Sequence, residues 1–331
     1  MKLERRLFNA LGALGALTVA SLAVAPLTAG AQAAWPSQPI KIIVPFPAGG
    51  ASDQIGRIMA KAIGDELKAT VVVENRSGAN GSVGAAAVAK AAPDGYTLLV
   101  GSIGVFAINA ALYSKLSYDP LKDFAPISVL VSTPNVMVVP ATSRFNTAQE
   151  LTAYLKANPG KLSYASSGAG SSDHLTAELY KKQIGGFAVH IPYRGGAPAM
   201  QDIIAGQADF MFSNLGPAMP FIKGGKMKAL MLTAANKTPL LPDVPTAAMT
   251  GANVNVTSWQ AIAAPAGTPP AIVQRLNQIA VKAMSAPDVK ERMANQAFDI
   301  VANSPAEFSD FLTKEVARWK LAVKESGAGL D

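Results

Sequence analysis

Ile40-Lys41-Ile42-Ile43-Val44-Pro45, followed at once by Phe46-Pro47-Ala48-Gly49-Gly50-Ala51-Ser52-Asp53, decides how the chain is read. The first six residues are rich in β-branched side chains and end at a proline, which suits a buried strand. The period then changes. Ile55, Ile58, Met59, Ala62, Ile63 and Leu67 fall at the i, i+3, i+4, i+7 spacing of one helix face. Ser52 stands where an N-cap belongs. A strand that runs through a small-residue turn into a helix is half of a β-α-β unit, so parallel strands with crossover helices are expected.

The alternation continues outward. Residues 70–74 and 97–100 read as further strands, and the apolar run 134–140 as a buried strand leading into a second set of elements. That set holds helices at about 147–157, 172–182 and 197–205, with strands at 162–165, 188–191 and 208–212. Residues 258–264 read as a return strand. The last helix opens at Ser304-Pro305-Ala306-Glu307, a capping box with proline in the first turn. The expected architecture is α/β with two lobes: 34–138 and 255–331 form the first, and 139–254 the second. Two crossings, near Pro140 and Val256, would act as the hinge.

The ends and the composition set bounds. Lys2, Arg5 and Arg6 precede an uncharged run over 11–27, and Ala31-Gln32-Ala33 follows, which is the layout of a secretory signal peptide covering 1–33. Arg5-Arg6-Leu7-Phe8 resembles part of a twin-arginine motif, so both export routes stay open. No later stretch approaches the roughly 20 apolar residues of a membrane span. The expected location is therefore the periplasm. Cleavage removes three basic residues and one acidic, taking the formal charge from +7 to +5. The basic residues are scattered, which argues against a nucleic-acid partner. Without a cysteine, disulfides, thiolate metal sites and cysteine nucleophiles are excluded, and two histidines do not make a multi-histidine metal site.

Ligands of open parallel sheets sit where strands end and helices begin. Two loops fit. One carries Pro47, Ala48, Gly49, Gly50, Ser52 and Asp53; the other carries Gly168, Ala169, Gly170, Ser171, Ser172 and His174. Both are small-residue turns opening a helix, where free N–H groups and the positive dipole end favour an anion. Either turn alone is explained by helix capping, and it is their pairing in two units that points to a cleft. Gly101-Ser102, Tyr193, Gly195-Gly196-Ala197 and Asn214 lie at further strand ends and join the candidate lining. Ser171 and Ser172 beside Asp173-His174 suggest a hydrolase, but neighbours so close on one helix start do not form a nucleophile relay.

With these loops in place, the chain resembles the tripartite tricarboxylate transporter solute receptors, the Bug-type extracytoplasmic binding proteins. The resemblance runs through PFPAGGASD, VVENRSGANGSVGA, APDGYTLLVGS, YDPLKDFAPIS, YASSGAGSSDHL, HIPYRGGAPAMQDIIAGQADFMF, LPDVPT and APAGTPPAIVQRLN, in that order. It implies a two-lobe periplasmic-binding-protein fold of type II-like form, with a small carboxylate in the interlobe cleft and a membrane permease as partner. A di- or tricarboxylate, an amino acid or an aromatic acid would qualify as ligand. It also implies a monomer with no cofactor and no catalytic residues. Carried onto this chain, the implied contacts are Ala48, Gly49, Gly50 and Ser52 on one side and Gly168, Ala169, Ser171 and His174 on the other. Ala51-Ser52 departs from the pattern, since many relatives carry another glycine there. The alternative partner for such a receptor is a signalling protein.

Overall fold

The computed structural model describes residues 35–326, so the expected signal segment lies outside the described residues. The fold is built from Gln38 onward. Its elements begin with β1 (Ile40–Val44), α1 (Ala51–Leu67), β2 (Val71–Asn75), α2 (Ser82–Ala89), β3 (Thr97–Ser102) and α3 (Asn109–Leu112). Then come β4 (Phe124–Pro140), α4 (Ala148–Ala157), β5 (Ser163–Ser166), α5 (Ser172–Ile184), β6 (Val189–Pro192), α6 (Gly196–Ile204), β7 (Phe210–Asn214), α7 (Leu215–Lys223) and β8 (Met227–Leu232). The chain returns through β9 (Thr257–Pro265), α8 (Pro270–Ser285), α9 (Pro287–Asn295), β10 (Asp299–Ile300) and α10 (Pro305–Ser326).

The strands form one sheet in the order β2-β1-β3-β9-β4-β7-β5-β6, with β8 and β10 also paired to β4. At each end it is parallel, as the alternation predicts: β1 lies between β2 and β3, and β5 between β6 and β7. The centre corrects the all-parallel expectation, because β9 runs antiparallel to both β3 and β4, and β4 antiparallel to β7. The return strand thus re-enters the sheet in the opposite direction, and the sheet is mixed.

β4 joins the two parallel ends. From Phe124 to Pro134 it pairs with β9, and from Asn135 onward with β7 and β8. The partners therefore change at Pro134/Asn135, where the buried Asn135 side chain donates to Thr176 Oγ1 at 2.8 Å and accepts from Asn214 Nδ2 at 2.6 Å. Proline has no N–H to give a ladder, so Pro134 suits a point where one set of partners stops.

Helical periodicity accounts for how the sheet is covered. Ile55, Met59 and Ile63 of α1 are fully buried, as their spacing predicts. The capping box at α10 forms as read: Glu307 N–H donates to Ser304 Oγ at 3.3 Å, and Ser304 N–H to Glu307 Oε2 at 2.8 Å. After β3 the chain makes a buried π-helical turn, Gly104–Ile108, which sequence periodicity gave no sign of. It drives Phe106 into an aromatic cluster, stacked on Trp259 at 6.0 Å and edge-on to Phe124 and Phe308 at 5.8 Å each. One apolar core runs from this cluster to Met137, Tyr164 and Phe212 at the other end of the sheet.

Candidate functional site

The helices α1, α5, α6 and α7 each follow a strand directly, after β1, β5, β6 and β7. Their N-termini meet around one cavity, about 730 Å³ with its open mouth included. Gly50 and Ala51 bring α1, Ser171 and Ser172 bring α5, Gly195 to Pro198 bring α6, and Asn214 with Pro217 brings α7. The caps of α1, α6 and α7 make no side-chain hydrogen bond, so their first-turn N–H groups have no partner one turn back. Four positive dipole ends then face one space. Among the described lining residues Asp173 is the only charged side chain, and both its oxygens are held by Ser167, through N–H and hydroxyl at 2.7 Å each.

Of the residues expected from sequence, Pro47, Ala48, Gly50, Ser52, Ser102, Ser171, Ser172, Gly195, Gly196, Ala197 and Asn214 line this cavity together. Gly168, Ala169 and Tyr193 line instead an adjoining outer groove, which shares Phe46, Pro47, Asn80, Ser167 and Gly195 with the cavity. Gly101 is buried within β3, behind the strand end.

Asp53 is a correction. Its carboxylate turns back, accepting from Gly49 N–H at 3.0 Å, from Arg57 Nε and Nη2 at 3.0 Å each, and from Asn75 Nδ2 at 2.9 Å. Burial alone would raise its pKa, but these donors outweigh it and hold the carboxyl below its ordinary value. Asp53 therefore fixes the first loop from behind, and the Gly49 N–H that was expected to face a ligand is spent on it. His174 is corrected in the same way: Nδ1 accepts from Gly170 N–H at 3.1 Å, and the ring is buried beneath the loop. In each loop a glycine donates to a side chain four residues ahead, and in the second loop the next N–H, that of Ser171, is also held, by Gly168 O at 3.1 Å.

Ser52 also differs from its expected role. Gly50 is the N-cap, with ordinary extended backbone, and the Ser52 hydroxyl donates to Gln260 Oε1 at 2.6 Å. That leaves the Gln260 amide NH2 as the donor end of a side chain lining the cavity. Ser258 and Gln260 are two residues apart on β9, so both lie on one face, and both are buried. Sequence reasoning missed them, although polar residues at alternate positions of an otherwise apolar strand were a visible signal.

Two contacts cross the cavity between the loops. Asn80 Nδ2, from the turn before α2, donates to Gly170 O at 2.8 Å and to Asn109 Oδ1 at 2.8 Å. Gly195 meets Pro47 so closely that a Cβ there would stand 3.2 Å from the proline ring. Ser171 and His174 do not pair as nucleophile and base: Ser171 Oγ donates to Gly168 O at 2.6 Å, and His174 faces Glu178 through Nε2.

The chain matches a model of the tripartite tricarboxylate transporter family receptor over residues 55–328. It is 36% identical over 298 residues to the protein BugT of Bordetella pertussis, covering 89% of this chain and 91% of that one. Two solved structures are similar throughout. Rpa4515 of R. palustris, solved with adipate, shares 31% identity at a TM-score of 0.86 and covers 88% of this chain and 98% of its own. MatC of Rhodopseudomonas palustris, with bound malate, shares 31% identity at a TM-score of 0.83 and covers 87% and 99%. The fold is the mixed α/β fold of periplasmic binding proteins, and the chain, a solute receptor and not an enzyme, belongs to the tripartite tricarboxylate transporter receptor family.

Proposed function

We propose that the chain is an exported receptor that closes over a small carboxylate and delivers it to the permease of a tripartite tricarboxylate transporter. One observation carries the reading: four helix N-termini converge on a cavity whose described lining holds no cationic side chain. Such a site holds an anion through backbone donors. Phe46, Ala48, Pro198, Met200 and Pro217 supply apolar wall, which suits a short hydrocarbon body. Malate and adipate, bound by similar receptors, are the first ligands to try.

The receptor works as a monomer of two lobes, with the division at Pro134/Asn135 on β4 and at Val256/Thr257 before β9. Closure twists the sheet about these strands and brings Pro47 to Gly195 and Asn80 to Gly170. Export removes about the first 33 residues, so the intact mass of periplasmic protein matches a chain starting near Ala34.

A thermal-shift panel tests the ligand class. A carboxylate at a hundred times its dissociation constant adds about 2.7 kcal/mol of stability. The matching amide or methyl ester adds nothing, because the site is built of donors. Equal shifts from neutral analogues would sink the reading.

A further inference from the structure

Behind the second loop the only two histidines of the chain stack face to face, with ring centroids 4.2 Å apart. His190 stacks in turn on Tyr164 at 4.7 Å. Each imidazole reaches the loop by a separate route. His174 Nδ1 accepts from Gly170 N–H at 3.1 Å. His190 Nε2 lies 2.7 Å from Ser166 Oγ, and Ser166 Oγ accepts from Gly168 N–H at 3.2 Å, so His190 reaches the loop through that hydroxyl. The His174 nitrogen facing the loop is therefore an acceptor and needs a neutral Nδ1, while the Ser166 hydroxyl, with one proton and two lone pairs, couples His190 to the loop in either role.

Gly170 ties this support to the cavity. Its φ is 82°, a left-handed conformation, and its carbonyl receives Asn80 from across the cavity at 2.8 Å. One glycine is thus held by His174 on one side and by the opposite wall on the other.

We propose that His174 and His190 are positioning residues, a stacked neutral pair that holds the second loop in its binding shape, and that protonating the pair in acid releases the loop and weakens capture. The proposal rests on the carboxylate-receptor reading only for its last step. Protonated at Nδ1, His174 would point a donor at the Gly170 N–H, and two imidazoliums 4.2 Å apart would repel. The charged and titratable groups around the pair are Asp173, Glu178 and Lys181 of α5 and Tyr164 of β5. Glu178 accepts from Tyr164 Oη and from Lys181 Nζ at 2.7 Å and lies 3.8 Å from His174 Nε2. Burial lowers the pKa of His174 although Glu178 and Asp173 oppose it. Burial, aided by His174, brings His190 down to about 4. At neutral pH the pair is uncharged.

The test uses the full mature protein and two conservative variants that keep an acceptor without titrating, His174→Asn and His190→Gln. Amide and imidazole resonances are followed by NMR from pH 8 to 3 without ligand. The Gly168 and Gly170 amides of the wild type move together with the imidazole titrations, and in the double variant they stay fixed. Fixed Gly168 and Gly170 amides in the wild type, while both rings titrate, would overturn the proposal. Malate affinity by calorimetry then reads the last step. Between pH 7.5 and 3.5 the wild type loses up to about tenfold more affinity than the double variant, the scale of one buried hydrogen bond. Parallel losses would show that the loop does not transmit the charge. If neither malate nor any other carboxylate of the panel binds at any pH, the ligand reading fails, and the amide titration still decides the histidine pair.

Discussion

Replacing Gly195 by alanine separates the strain of a backbone from the closure of a cavity. Gly195 has φ 124° and ψ 165°, a region almost confined to glycine, so any side chain there costs about 1–3 kcal/mol. That cost falls on the fold whether or not ligand is bound. The second effect depends on closure: the new Cβ would stand 3.2 Å from Pro47 Cδ and 3.3 Å from Cγ, inside the roughly 3.5–4.0 Å of good carbon contacts. The two loops must then separate by a few tenths of an ångström, and the donors of α1 and α6 no longer reach one ligand together. An affinity loss of about tenfold, or 1.4 kcal/mol, is expected beyond the stability loss. Gly206→Ala is the control at the opposite end of α6, with φ 72° and nothing within 4 Å of the new Cβ. It costs about 1–2 kcal/mol of stability and leaves affinity untouched. Denaturant unfolding gives the first quantity and calorimetric titration the second. If Gly195→Ala binds like Gly206→Ala at similar stability, Pro47 and Gly195 do not form the closing contact.

Other perturbations probe other parts of the site and core. Gln260→Leu strands the Ser52 hydroxyl in a buried position and removes an amide donor from the cavity, so affinity falls by about 1–3 kcal/mol in the same titration while the fold persists. Phe106→Ala empties the centre of the aromatic cluster and lowers unfolding stability by about 3–5 kcal/mol; a loss under 1 kcal/mol would mean the π-helical turn repacks. The pKa of His190 is lowered in the fold, so the unfolded chain binds the proton more readily. Its contribution is complete above pH 6.5 and disappears as pH falls toward about 4. Urea midpoints should fall further for wild type than for His190→Gln over that window, and identical curves would remove the effect.

Local pattern carried the reading a long way. The strand-loop-helix at β1 and α1 was legible because its apolar residues switch from a strand's run to a helix's spacing within a few positions. The capping box before α10 was legible because both partners sit within four residues. What escaped depends on distant partners. Ser52 reads as a cap until Gln260, 208 residues away, takes its hydroxyl. The first half of β4 was hidden by Pro126 and Pro134, which read as strand ends, although the ladder accommodates Pro126 at a register shift. The antiparallel course of β9 is invisible to a local pattern, since its period is the same in either direction. The loops that build the cavity were found, but the directions of Asp53 and His174 were not. A carboxylate or imidazole beside a glycine turn can face out or back, and only Arg57, Asn75 and the stacked His190 decide it.

A site whose attraction for negative charge resides in peptide groups is free to change its side chains. Where capture of a carboxylate depends on an arginine, one codon holds the function, and mutation there is lost from a lineage. Here the four converging helix starts survive most replacements of the wall side chains of Ala48, Ala197 or Met200, because the free N–H groups belong to the backbone of the first turns and not to those side chains. The walls can then lengthen, narrow or gain a polar group while the attraction for the anion stays. Duplicated copies of such a gene can therefore diverge toward new acids one substitution at a time, without passing through an intermediate that binds nothing.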